Sequence, residues 1–185
     1  KMWIDDVTME EMVKTDFRHA LLLNPGFETG EIDGVPYGWS DKYSFYLRDF
    51  AGISAFSSID ETVFRSGKQS LRIDCLQDAV WCITSDTRIL QSDVVYTASL
   101  YAKTNKEDTK IRIGLRGVDE PVVSEPWNSP LVTLNKEWQK VEISFQIPQE
   151  KFDKLKTKRV FVTIDSPGQK DKTTIWIDDV SWEAE

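Results

Sequence analysis

Apolar and polar residues alternate with period two along much of this chain. Val141, Ile143, Phe145 and Ile147 alternate with Glu142, Ser144 and Gln146, and Ile111, Ile113 and Leu115 with Arg112, Gly114 and Arg116. Val160, Val162 and Ile164 alternate with Phe161, Thr163 and Asp165, and Leu71, Ile73 and Cys75 with Arg72 and Asp74. Each run predicts a β-strand with one buried face, because successive side chains of a strand point to opposite sides. Turn-forming clusters separate the runs: Asn24-Pro25-Gly26, Asp33-Gly34, Ser66-Gly67-Lys68, Thr104-Asn105-Lys106 and Ser166-Pro167-Gly168. The one helical stretch expected is Met9–Lys14. Many short strands with regular turns predict an all-β domain, a sandwich or barrel.

The two ends of the chain repeat each other. Trp3-Ile4-Asp5-Asp6-Val7 recurs as Trp176-Ile177-Asp178-Asp179-Val180, and a hydroxyl residue follows each copy (Thr8, Ser181). The offset is about the length of one domain. This predicts that residues 1–8 are the last strand of a preceding homologous module, that 9–17 form a linker, and that 18–185 make one domain. The roughly 170 residues that remain are enough for a single sizeable core.

The formal net charge of −8 argues against nucleic acid and polyanionic glycans, whose binding needs clustered Lys and Arg. The densest basic stretch, Lys151 to Arg159, includes Asp153 and reads as a solvated loop. No apolar run approaches the ~18–20 residues of a membrane span, so no membrane partner is expected. Cys75 and Cys82 either clip the base of a hairpin in an exported protein or stand as two buried thiols, and without nearby His they make no zinc site. The single histidine, His19, has no evident Ser or Cys partner, which disfavours a Ser-His-Asp triad.

Read in order, Asn24-Pro25-Gly26-Phe27-Glu28, Pro36-Tyr37-Gly38-Trp39, Ser66-Gly67-Lys68-Gln69-Ser70-Leu71, Trp138 before a long strand, and Ile175-Trp176-Ile177-Asp178-Asp179-Val180 form a series. It resembles the jelly-roll carbohydrate-binding modules of families four, sixteen and twenty-two, appended to xylanases, glucanases and related glycoside hydrolases. The resemblance covers nearly all of residues 18–185. It implies a two-sheet antiparallel β-sandwich of galactose-binding-like jelly-roll type, with a structural Ca²⁺ away from the sugar. Mapped onto this chain, the calcium ligands are the carboxylates of Glu28 and Asp178 and the carbonyls of Gly26, Ser66 and Gln69, a mixed oxygen set that suits a hard cation. Asp60, Glu61 and Asp179 are the acids that stand in reserve. Trp39 and Trp138 are expected in the core, with Trp176 and Trp182 on the last strand and at least one of them buried.

The sugar site implied by the resemblance is a sheet face on which aromatic rings stack against pyranose rings while polar groups take the hydroxyls. Trp81, at the start of a strand, is expected to be the main stacking residue. Trp127, in the proline-bounded loop Asp119–Pro130, is its expected partner, since an exposed Trp in such a loop suggests binding. Arg112, Arg116 and Thr163 lie opposite the apolar positions of their strands and are candidate hydroxyl contacts. Tyr43, Tyr46 and Arg48 are candidates for one rim.

The leading expectation is therefore a non-catalytic, secreted or cell-surface module. It would hold an attached catalytic domain, with a tandem module beside it, on a neutral β-glycan such as xylan or β-glucan. A structural or protein-interaction spacer is the alternative. A glycan-active enzyme is disfavoured: glycoside hydrolysis needs two carboxyl groups flanking one bond, and adjacent acids such as Asp5/Asp6 and Asp178/Asp179 should point to opposite faces of a strand.

Overall fold

A computed structural model describes residues 22–32, 35–40, 55–117, 128–155 and 157–185. The expected preceding strand of residues 1–8, the linker 9–17 and the Met9–Lys14 stretch lie outside the described residues. So do Tyr43, Tyr46, Arg48 and Trp127.

Twelve strands and one short helix are found among the described residues. A small ribbon pairs β1 (Glu31–Ile32) with β2 (Val35–Pro36). The remaining strands are β3 (Trp39–Ser40), β4 (Ala55–Asp60), β5 (Ser70–Cys75), β6 (Ala79–Ile89), β7 (Val95–Thr104), β8 (Lys110–Gly117), β9 (Val132–Thr133), β10 (Gln139–Gln146), β11 (Arg159–Gln169) and β12 (Thr173–Ala184). They form two five-stranded sheets, ordered β10-β7-β12-β5-β4 and β3-β6-β11-β8-β9, in which every pairing is antiparallel. The helix α1 (Gln149–Phe152) runs into the start of the basic stretch expected to be a solvated loop; it buries Phe152, and the Lys158 ammonium sits 4.5 Å from that ring.

The predicted alternation is the fold's main determinant. The first sheet contributes Leu71, Ile73, Leu100, Ala102, Val141, Ile175 and Ile177 to the core, and the second contributes Ile83, Ile111, Ile113, Val160, Val162 and Ile164. Trp39 and Trp182 are also buried there, as expected. Trp39 packs 5.3 Å from the Phe27 ring and donates its indole N–H to the Asn24 carbonyl at 3.1 Å. Trp182 stacks on Tyr96 at 5.1 Å.

Three expectations need correction. Trp138 is not core: it is half-buried, beside Lys103, whose ammonium lies 5.8 Å from its ring centroid. The cause is strand parity, since Trp138 precedes the inward-facing Val141 by three positions. Asp178 and Asp179 do not diverge either. A bulge between Asp178 and Ser181 puts Asp179 at φ 49°, and both carboxylates reach the Arg65–Ser66 backbone or side chains. Finally, β11 does not have one buried face but two, because Thr163 and Asp165 on its outer side are as buried as Val162 and Ile164 on its inner side. Cys75 and Cys82 are free, buried thiols, each pushed up to about 12 by burial.

On the outer side of the first sheet, Asp60 is buried and ties three elements together. It accepts the Trp176 indole N–H at 2.8 Å, the Thr62 hydroxyl at 2.6 Å and the backbone N–H groups of Thr62 and Val63. Burial alone pushes its carboxyl up. The hydrogen bonds outweigh that effect and lower its pKa from the ordinary 3.8 to about 2. A depressed folded-state pKa adds stability above the unfolded value and loses it as pH falls toward the folded one. Asp60→Asn is thus expected to cost about 2 kcal/mol at pH 7, with the difference from the parent shrinking below about pH 4 and nearly gone near pH 2. Denaturant unfolding of both proteins across this range is the check; a penalty independent of pH contradicts the assignment.

Candidate functional site

The outer face of the second sheet carries the candidate site. Inward residues of β8 and β11 alternate with Arg112, Gly114 and Arg116 on one strand and with Phe161, Thr163 and Asp165 on the other. The antiparallel register sets Arg112 opposite Asp165, Gly114 opposite Thr163 and Arg116 opposite Phe161. On the far side of β11, Cys82 faces Asp165 and Thr84 faces Thr163. The row continues to Ser40 on β3, and a bridge joins Gly114 to Asn128. Small or polar residues therefore run across the middle of the sheet from Ser40 through Thr84, Thr163 and Gly114 to Asn128.

Three of the expected contact residues thus converge, and a fourth group joins them. Arg112 donates Nε–H to Asp165 Oδ1 at 2.7 Å, and an Arg116 Nη group donates to Asp165 Oδ2 at 3.3 Å. Asp165 is 4% exposed, so it reaches both guanidinium groups from within the sheet face, while the arginine side chains stay partly open to solvent. Such charge-assisted pairs fix the donor forks in place. Asp165 has the same parity as Thr163, and this signal was already present in the sequence.

Thr163 is 0% exposed, and among the described residues its hydroxyl has no hydrogen-bond partner; the Asn128 side-chain oxygen is likewise buried and without a partner among them. A buried polar atom without a partner costs roughly 1–3 kcal/mol.

Trp81 requires correction as a site residue. It is 3% exposed and belongs to the core cluster with Ala79 and Ile83, on the opposite side of β6 from Cys82 and Thr84. The first residues of β6 are apolar on both parities, so alternation did not reveal which face Trp81 would take. A ring between the sheets offers no platform to a sugar.

The expected metal ligands also come together, at the far side of the sandwich on the first sheet. Glu28 Oε1 accepts the backbone N–H of Lys68 at 2.9 Å and that of Gln69 at 3.3 Å. Asp178 Oδ2 accepts those of Arg65 at 2.8 Å and Ser66 at 3.1 Å. Ser66 and Gln69 therefore approach the carboxylates through their amides. Gln69 also donates its side-chain amide to the Phe27 carbonyl. A Cβ added at Gly26 would lie 3.6 Å from Glu28 Cγ and 4.0 Å from Asp178 Oδ1, so both acids flank one glycine. At Gly67 (φ +65°) a Cβ would fall 2.1 Å from Glu28 Oε1, and only glycine fits. Asp178 is fully buried, which pushes its carboxyl up, and among the described residues neither it nor Glu28 pairs with a Lys or Arg. Two neighbouring acids suit a hard, oxygen-seeking cation, while the loop shows them the amide N–H groups of Ser66 and Gln69 and not the expected carbonyls. No group of three His, Cys, Asp or Glu is found among the described residues.

These placements make opposite predictions for two residues. Thr163→Val removes an unpartnered buried hydroxyl without changing shape and should leave the melting temperature unchanged or raise it. Trp81→Ala removes a buried ring and should cost about 3–5 kcal/mol. Thermal and denaturant unfolding measure both; a Trp81→Ala protein as stable as the parent would show that the ring is outside the core.

No protein-family model matches the chain, and no curated protein sequence matches it. Its fold is nonetheless shared with solved structures. A family 61 carbohydrate-binding module in complex with β-1,4-galactotriose aligns over 89% of this chain and 97% of its own, with TM-score 0.57 and 18% identity. The family 22 xylan-binding domain of Paenibacillus barcinonensis Xyn10C aligns over 89% of this chain and 92% of its own, with TM-score 0.55 and 14% identity. A cyclase from Fischerella sp. TAU aligns over 89% and 95%, with TM-score 0.63 and 14% identity. The chain thus has the β-sandwich fold of carbohydrate-binding modules, a fold that an enzyme also uses.

Proposed function

We propose that this domain is a non-catalytic polysaccharide-binding module, and that the outer face of the β3-β6-β11-β8-β9 sheet is its glycan site. The observation that carries the reading is the Arg112–Asp165–Arg116 cluster, whose arginines stay partly open to solvent. Fixed forks of N–H donors suit a ligand dense in hydroxyls. The fold shared with galactotriose- and xylan-binding modules supports it. The proposed ligand is a neutral β-glycan, xylan or β-glucan, in keeping with the net charge of −8. The module would act by tethering an attached glycoside hydrolase, alongside a tandem module, to an extracellular substrate. Hydrolysis by the domain itself is not favoured. The cluster contributes one carboxylate, already shared between two arginines, where a glycosidase needs two.

Affinity electrophoresis against soluble xylan, mixed-linkage β-glucan and β-1,4-galactan tests the reading. At least one polysaccharide should retard the parent. Arg112→Ala should weaken that binding about tenfold or more, as expected for loss of a charge-assisted hydrogen bond; because it leaves the buried Asp165 with Arg116 alone it should also lower the melting temperature, so binding is compared where both proteins are folded. Migration unaffected by every polysaccharide, equal retardation of the Arg112→Ala variant, or release of reducing sugars would contradict it.

We also propose that Glu28 and Asp178 hold a structural Ca²⁺, with backbone oxygens of Gly26, Ser66 and Gln69 completing the set. An ion bound only by the folded state stabilises it by RT ln(1 + [L]/Kd), about 4 kcal/mol at 1,000-fold saturation. Chelation should lower the melting temperature of the parent and leave that of Glu28→Gln nearly unchanged. Equal melting with calcium and with chelator, together with no bound metal in elemental analysis, would overturn the site.

A further inference from the structure

The outer face of the other sheet, β10-β7-β12-β5-β4, carries an unassigned row of aromatic and charged side chains. Arg72 on β5 pairs laterally with Ser58 on β4 and with Trp176 on β12, and Trp176 pairs with Lys103 on β7. The register of β10 continues the row to Trp138, next to Lys103. Their strand neighbours Leu71, Ile73, Ala102, Ile175 and Ile177 are core, so the row faces outward. Trp176 and Trp138 are half-buried and Phe56, one step along β4, is 49% exposed. The two tryptophans stand two strand spacings apart, roughly 10 Å.

This row is held rigid. The Trp176 indole N–H is anchored on Asp60 at 2.8 Å, and the Arg72 guanidinium lies 6.0 Å from the ring centroid. Arg72 is itself held by Asp74 through two bonds of 2.9 and 3.0 Å, and the Thr174 hydroxyl donates to the same carboxylate at 2.7 Å. Orienting rings and donors before binding reduces the entropy lost on association. Asp60 and Asp74 balance Arg72 and Lys103, so the surface has little excess charge with which to attract a polyanion. Half-exposed aromatic rings between fixed polar groups match the apolar faces and hydroxyls of a sugar chain.

We propose that this face is a second carbohydrate-contact surface, on which Trp176, Trp138 and Phe56 carry a neutral polysaccharide chain across the strands. It rests on the reading of the domain as a polysaccharide-binding module but not on the Arg112 site, from which the thickness of the sandwich separates it. A flat, extended row suits a polymer surface better than a short oligosaccharide.

The test uses the whole chain with insoluble xylan, insoluble β-glucan and the soluble trisaccharides xylotriose and galactotriose. The variants are Trp138→Ala, Phe56→Ala, the two combined, and Arg112→Ala; melting temperature and sedimentation are recorded for each. The combined variant should lose about five- to tenfold in affinity for at least one insoluble polysaccharide, while trisaccharide binding stays at the parent level. Arg112→Ala should show the reverse preference. The proposal is overturned if the combined variant binds insoluble polysaccharide like the parent, if only its melting temperature moves, or if the parent is a dimer that the substitutions dissociate. Absence of any polysaccharide binding by the parent overturns this proposal and the module reading together. If Arg112→Ala binds everything like the parent while the combined variant fails on the polymer, only the Arg112 site falls.

Discussion

The structure depends on β11 being buried on both of its faces. Paired with β6 on one side and β8 on the other, it directs Val160, Val162 and Ile164 into the core. Its other face carries Thr163 and Asp165, and burial there forces every polar group either to find a partner or to remain a cost. Asp165 meets the requirement with two arginines from β8. Among the described residues, Thr163 does not.

Much of this was legible in the sequence because alternation and burial coincide. The inward sets of β5, β8, β10 and β11 were readable, and the outward parity of Arg112, Arg116 and Thr163 brought them to one face as expected. Asp165 obeyed the same parity and needed only to be followed one step further. Trp138 was also readable, since its offset from Val141 points it outward; placing it in the core by resemblance obscured this. Trp81 was not readable. Ala79, Val80, Trp81, Cys82 and Ile83 are apolar on both parities, and only the packed sandwich decides which side the ring takes.

The Asp178–Asp179 pair shows a different limit. Strand geometry sends adjacent residues to opposite sides, yet the bulge at Asp179 bends both acids toward the Arg65–Ser66 loop. Aspartate enters the left-handed region more readily than most residues, and at Asp179 local bonds support it. The support comes from the Arg65 guanidinium and the Ser66 hydroxyl on Asp179, and from the Asp179 N–H donated to Asp178 at 2.7 Å. The bulge draws the last strand, the Ser66–Gln69 loop and the Gly26–Glu28 turn together at one edge. The two sheets therefore differ in character. One outer face gathers buried polar groups, and the other gathers acids, cations and half-exposed rings.

Backbone and indole NMR shifts during titration with a soluble oligosaccharide of xylan or β-glucan test the central claim most directly. The account predicts that the largest changes fall on the amides of Thr84, Gly114, Thr163 and Asp165, and that the buried Trp81 indole responds weakly. Saturable changes centred on the Trp81 indole and the core, with the β8–β11–β6 face silent, would contradict it.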